Sequence, residues 1–110
     1  MSQETKAIVH IVTWRLNGKS DVKKMQQGQT IVDAFEAMRG QIQGLVRMNV
    51  GVNSIPASDA WDVVLSMIFS SRASLQAYLE HPDHLAIKKI VGPIRSERGQ
   101  ADFEIEANSI

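Results

Sequence analysis

Ala7-Ile8-Val9-His10-Ile11-Val12-Thr13-Trp14-Arg15-Leu16 is the stretch on which the fold turns. β-Branched residues crowd it and no glycine or proline interrupts it, so it reads as a strand. Side chains alternate across a strand. One face carries Ile8, His10, Val12, Trp14 and Leu16, and the other Ala7, Val9, Ile11, Thr13 and Arg15. Both faces are mostly apolar, which predicts a strand covered on both sides.

Working outward, Asn17-Gly18-Lys19 is a turn, and Ser20 or Asp21 offers an N-cap for a helix. Val22, Met25, Val32, Phe35, Met38 and Ile42 follow helical spacing. Gly28 falls inside that run and costs about 1 kcal/mol relative to alanine. After a turn at Gly44 comes a second strand with Val46, Met48, Val50 and Val52 on one face. A loop over residues 53–59 precedes a third strand carrying Trp61, Val63, Leu65, Met67 and Phe69.

Ser70 or Ser71 caps a second helix with Leu75, Tyr78 and Leu79, which His81-Pro82 interrupts because a residue before proline disfavours the helical conformation. A further helical piece runs through Leu85, Ile87, Ile90 and Val91 to Gly92-Pro93. The last strand, residues 101–106, alternates Ala101, Phe103 and Ile105 with Asp102, Glu104 and Glu106.

The order is β-α-β-β-α-β, an α+β, ferredoxin-like arrangement in which an antiparallel sheet carries its helices on one face. A single domain over residues 7–106 is expected, with short polar tails at 1–6 and 107–110. The sheet face away from the helices holds Val9, Ile11, Val64 and Ile68. An apolar patch of this kind marks an interface, and two sheets closing face to face would hide it.

Composition narrows the partners. Of 110 residues, 44% are hydrophobic and 22% charged, the balance of a globular domain. Lys plus Arg equals Asp plus Glu at 12 each, and no basic stripe exists beyond Lys23-Lys24 and Lys88-Lys89, which argues against nucleic acid. The chain lacks cysteine, which excludes disulfides, thiolate metal sites and a cysteine nucleophile and suits a cytoplasmic location. Its polar first residues do not resemble a secretion signal, and no apolar run approaches membrane-spanning length, so no membrane partner is expected.

All three histidines fall in two segments, around position 10 and over 81–84. Tyr78 and His84 are separated by about 1.7 helical turns, so they share a cavity only if the chain breaks at His81-Pro82. Brought together, His84 suits a general base and Tyr78 a donor to a developing enolate or carbonyl oxygen. The structural alternative packs Tyr78 in the core and uses His81 or His84 to cap backbone carbonyls around the break. His10 between Ile8 and Val12 suits either a hydrogen-bonded core histidine or a pocket wall. Three histidines for a metal would have to converge without a carboxylate in a fourth position, so neither metal nor cofactor is expected. Trp14 and Trp61 suit core or barrel packing, and Glu104 and Glu106 a solvated rim.

Residues 9–16 resemble the opening strand of the stress-responsive A/B-barrel (Dabb) family. Leu75-Gln76-Ala77-Tyr78-Leu79-Glu80-His81-Pro82-Asp83-His84 resembles its second helix, where Tyr, two residues and His-Pro-x-His recur, and Asp102-Phe103 is similar to its closing Asp-aromatic pair. The resemblance covers residues 7–106. It implies a ferredoxin-like subunit that dimerises into an α/β barrel, in a family of stress-associated plant proteins, bacterial members without an assigned reaction and a plant polyketide cyclase. Carried over from the cyclase, the catalytic pair is Tyr78 and His84. The pocket is lined by His10, Val12, Trp14, Ile31, Val32, Phe35 and His81. The helix wall of Ile31, Val32 and Phe35 is smaller than the cyclase's aromatic one, which speaks against a polyketide-sized substrate. The resemblance thus implies a small apolar pocket for an apolar or carbonyl-containing ligand. Three functions follow: a dimeric domain without a reaction, a cofactor-free cyclase-like enzyme, or, by analogy of fold, a cofactor-independent monooxygenase.

Overall fold

In the computed structural model, which describes residues 6–110, the opening strand β1 (Lys6–Leu16) lies inside a four-stranded antiparallel sheet. The sheet order is β2-β3-β1-β4, with β2 spanning Leu45–Val52, β3 Val63–Phe69 and β4 Arg95–Glu106. Helices α1 (Asp21–Glu36), α2 (Arg72–Leu79) and α3 (Pro82–Val91) complete a ferredoxin-like α+β fold, in which the second helix of the basic pattern is split in two. Among the described residues no helix is long and apolar enough to cross a membrane.

Local chemistry explains the boundaries. The Ser20 hydroxyl accepts the Lys23 N–H at 3.1 Å and starts α1. The helix stops at Glu36, earlier than the apolar spacing suggests, and Met38 and Ile42 are buried from the turns that follow. Gly40 and Gly44 there adopt φ of 82° and 84°, a conformation that ends helical geometry. Val22 and Met25 do not face the core; they are 64% and 67% exposed. Gln27 and Gly28 set the helix rotation instead. Gln27 is buried, accepting from Gly18 N–H and donating to Asn17 Oδ1, each at 2.9 Å. A Cβ on Gly28 would come within 2.9 Å of Val52 Cγ2, so this glycine marks close approach of α1 to the sheet.

In β2 a bulge between Leu45 and Arg47 turns Val46 outward, so Leu45 and Met48 pack inward in its place. Strand β4 begins six residues earlier than its alternation of apolar residues suggests. Trp61 leaves the face of Val63 and Leu65: the Arg15 guanidinium stacks 4.3 Å over its ring, on the side of the sheet away from the helices. Lys6 opens β1, and Ala107–Ser109 form a 3-10 turn; residues 1–5 lie outside the described residues.

The core lies between sheet and helices. Ile8, Val12, Trp14, Leu65, Met67 and Phe69 pack from the strands against Ile31, Phe35, Tyr78, Ile87 and Val91 from the helices. Leu85 and Ile90 of α3 face outward, at 46% and 42% exposure. The opposite sheet face carries Val9 and Ile11, flanked in register by Ile68 and Phe103 opposite Val9 and by Ala101 opposite Ile11. Val64 and Phe103 on this face are 39% and 51% exposed.

Candidate functional site

A cavity of about 450 Å³ opens on the helix side of the sheet. Its floor is His10, Val12 and Trp14 of β1 with Leu65 of β3, and Phe35 closes one side. Tyr78 and Leu79 come from α2, His84, Lys88 and Val91 from α3, and Arg95, Arg98 and Gln100 from β4.

The break between α2 and α3 brings the phenol and imidazole together. With Leu79 ending α2 and Pro82 opening α3, the Tyr78 and His84 ring centroids lie 4.6 Å apart at 53°. The break also leaves the Leu79 carbonyl without a helical partner. His84 takes it, with Nδ1 3.1 Å from Leu79 O, so Nδ1 carries the proton and Nε2 is left as an acceptor. Burial lowers the His84 pKa against the rise from the Leu79 bond, and the charges of Lys88, His10 and Arg98 lower it further. The imidazole is therefore neutral near pH 7.

Tyr78 is 1% exposed, and its hydroxyl has no hydrogen-bond partner. Such an orphan is uncommon in a folded interior and calls for a specific explanation. Burial pushes its pKa far above 10 although Arg98 pulls the other way, so the group stays protonated and can donate.

His10 is buried at 1% exposure, with Nδ1 2.5 Å from Asp102 Oδ1 across the β1–β4 pair. Gln100 donates to the other carboxylate oxygen at 2.8 Å. Burial raises the Asp102 pKa, but the Gln100 and His10 bonds and the Arg98 charge outweigh this and leave it below the usual carboxylate value. An ionised Asp102 fixes the proton on His10 Nδ1 and leaves Nε2 as the nitrogen free for a ligand.

Ile31, Val32 and His81 stand outside the cavity wall. Ile31 is fully buried in the core and Val32 turns to the flank of α1, because the register set by Gly28 aims Phe35 at the cavity. His81 caps α3 from outside, its Nδ1 accepting the Asp83 N–H at 3.0 Å. Lys88, Arg95, Arg98 and Gln100 escape the sequence reading as cavity residues, and Asp102, read there in the closing Asp-aromatic pair, escapes it as the partner of His10. The polar run at the start of β4 hides the strand, and only the pairing of Val12 with Gln100 and Trp14 with Arg98 reveals which face those residues share. A bulge opposite Arg15 and Leu16 brings Arg95 to that face too. The cavity is thus apolar on the core side and cationic along β4. Among the described residues no group of three or more His, Asp or Glu is placed to hold a metal ion.

Comparison with known proteins places this geometry in a family. No curated protein matches the chain. A dimeric protein of unknown function and ferredoxin-like fold from Bacteroides fragilis is 27% identical, with a TM-score of 0.79 over 90% of this chain and 96% of that one. A Dabb family protein from Mesorhizobium loti is 23% identical, with a TM-score of 0.71 over 89% and 95%. The hydroxynitrile lyase from Passiflora edulis shares the fold at 17% identity, with a TM-score of 0.73 over 91% and 94%. Residues 8–105 match the profile of the Stress responsive A/B Barrel Domain, nearly the whole span that builds the sheet and the cavity, and the chain belongs to that family.

Proposed function

We propose that this chain catalyses proton transfer on a small carbonyl compound held in the cavity, with Tyr78 and His84 as the catalytic pair. One observation carries the proposal: a fully buried tyrosine hydroxyl without a partner on the cavity wall, in ring contact with a neutral histidine. Leaving a buried hydroxyl unpaired costs about 1–3 kcal/mol, a loss that a ligand oxygen would recover. In the proposed step Tyr78 donates to the carbonyl oxygen and His84 Nε2 accepts the proton from the adjacent carbon. The electron pair of the broken C–H bond moves onto that oxygen as an enolate, where the hydroxyl stabilises it. Return of the proton to that carbon completes the cycle, as does attack of the enolate carbon on a second carbonyl, whose oxygen becomes an alkoxide and takes the proton from His84 Nε2. His10, oriented by Asp102, faces the same space and steadies the ligand.

The working form in this proposal is a homodimer. The face of Val9, Ile11, Val64, Ile68 and Phe103 is apolar and partly uncovered. Similar solved structures from Bacteroides fragilis and Thermobifida fusca are described as dimeric.

The test is hydrogen–deuterium exchange at the carbon beside the carbonyl of a panel of small ketones and aldehydes, followed by NMR. Wild type should accelerate exchange of at least one member, and Tyr78→Phe should lose at least 100-fold of that rate. Exchange that survives Tyr78→Phe unchanged would remove the tyrosine from the mechanism.

A further inference from the structure

We infer that the cavity selects a ligand carrying a carboxylate, and that Arg98, with Arg95 and Lys88, forms the subsite that receives it. The inference deepens the proposed function, resting on the same cavity as the working site while assigning the ligand's charge.

Its basis is a local imbalance of charge. The chain as a whole is neutral, with 12 basic and 12 acidic residues. Of the other four arginines, Arg15 pairs with Glu97, Arg39 with Glu36 and Arg72 with Glu104, while Arg47 of β2 makes no ion pair among the described residues. The cavity wall gathers Lys88, Arg95 and Arg98, and none of them pairs with a carboxylate among the described residues. Arg95 and Arg98 repel each other enough to lower the Arg98 pKa beyond the effect of its burial, yet a guanidinium remains charged. Asp102 feels the Arg98 charge, but its two oxygens are engaged by His10 and Gln100. Like charges gathered on one wall are unfavourable until an anion arrives.

Position supports the same conclusion. Arg98 lines the same cavity as Tyr78 and His84, and its charge acts on both, so a ligand placing its carbonyl at Tyr78 has a neighbouring substituent on the Arg98 side of that cavity. A guanidinium fork matches a carboxylate with two parallel hydrogen bonds. Gln100, already donating to Asp102, adds a polar edge without a competing negative charge. The fitting class is an oxo acid, with its carbonyl at Tyr78 and His84 and its carboxylate at Arg98.

The experiment compares binding of benzoylformate with that of its methyl ester, followed by calorimetry and by tryptophan fluorescence, to which Trp14 on the cavity floor contributes together with Trp61. The ester keeps shape and carbonyl and removes the charge. Wild type should bind the acid at least tenfold tighter, with the preference shrinking as salt rises. Arg98→Met should abolish that preference without lowering Tm, because the side chain is on an exposed strand edge, and Lys88→Met should reduce it from a different element. Equal binding of acid and ester, a preference that survives both substitutions, or failure of both compounds to bind would each overturn the inference. Its failure is separable from that of the proposed chemistry: an ester-binding protein whose exchange activity still depends on Tyr78 keeps the mechanism and loses the subsite.

Discussion

At the scale of single residues, Tyr78 and His84 do not carry the same kind of evidence. His84 both lines the cavity and caps the Leu79 carbonyl, so His84→Ala removes the proposed base nitrogen and a structural bond together. A loss of activity in that variant would be ambiguous. Tyr78→Phe separates the two roles. Removing a buried hydroxyl that bonds to nothing should leave stability unchanged or raise it by about 1 kcal/mol, while exchange activity falls. Thermal unfolding of the variant checks this, and a marked drop in Tm would mean the hydroxyl has a structural partner. The His84 shift has a pH consequence. Its folded pKa lies below 6.5 and its unfolded pKa near that value, so the unfolded chain binds the extra proton first as pH falls. Stability from neutral His84 is therefore complete above pH 6.5 and declines below it until the folded pKa is reached. Activity should persist to lower pH than an ordinary histidine permits. A rate profile whose acid limb is centred above 6.5 would contradict this. Both residues are legible in the sequence because they lie in one short motif around Pro82. Asp102 is not legible as the partner of His10, since a separation of 92 residues is joined only by strand register.

Among elements, the reading works where a segment's own residues decide its structure and fails where the neighbour decides. The break at His81-Pro82 is set by proline geometry, and α3 starts there with His81 as its cap. Start of β4 is set by pairing with β1. Residues 95–100, Arg-Ser-Glu-Arg-Gly-Gln, have no apolar alternation to announce a strand, and their inward polar face serves the cavity. The rotation of α1 depends on Gly28 lying against Val52, which a count of apolar spacings cannot see. The turn between α1 and β2 gives a paired prediction. Gly40 and Gly44 share a positive φ, but a Cβ on Gly44 would meet Ser74 Oγ at 2.3 Å, whereas one on Gly40 meets nothing within 4 Å. Gly40→Ala should cost only the backbone strain, about 1–2 kcal/mol. Gly44→Ala should cost that and about 1–3 kcal/mol more, from pushing Ser74 and the start of α2 out of place. Chemical denaturation of both variants checks the difference, and equal losses would show that packing on Ser74 is unimportant.

For the whole molecule, the proposed homodimer is favoured because the edge strand β4 turns its polar side chains toward the helices and its apolar ones away. Gln100, Asp102 and Glu104 pair with the inward residues of β1, whereas Ala101, Phe103 and Ile105 pair with the outward ones. A protein that functions as a monomer would be expected to place them the other way round, so this inversion supports the second subunit. Both faces of β1 announce it in the sequence, and the contribution of Phe103 emerges from the register. Ile11 and Val9 make poor probes because they are already partly or fully covered within one subunit, so a charge there threatens the fold itself. Phe103, at 51% exposure, separates assembly from folding. In a dimer its ring gains burial worth about 1.5–3 kcal/mol at most, and an aspartate in that position is left desolvated at a cost of several kcal/mol. Phe103→Asp should therefore weaken association by roughly 100-fold or more, each factor of ten being about 1.4 kcal/mol. Light scattering should give twice the 12.2 kDa chain mass for wild type and the single mass for the variant, with its circular dichroism retained. A wild-type protein that stays monomeric at micromolar concentration would leave Phe103 and Val64 as ordinary exposed residues and remove the barrel.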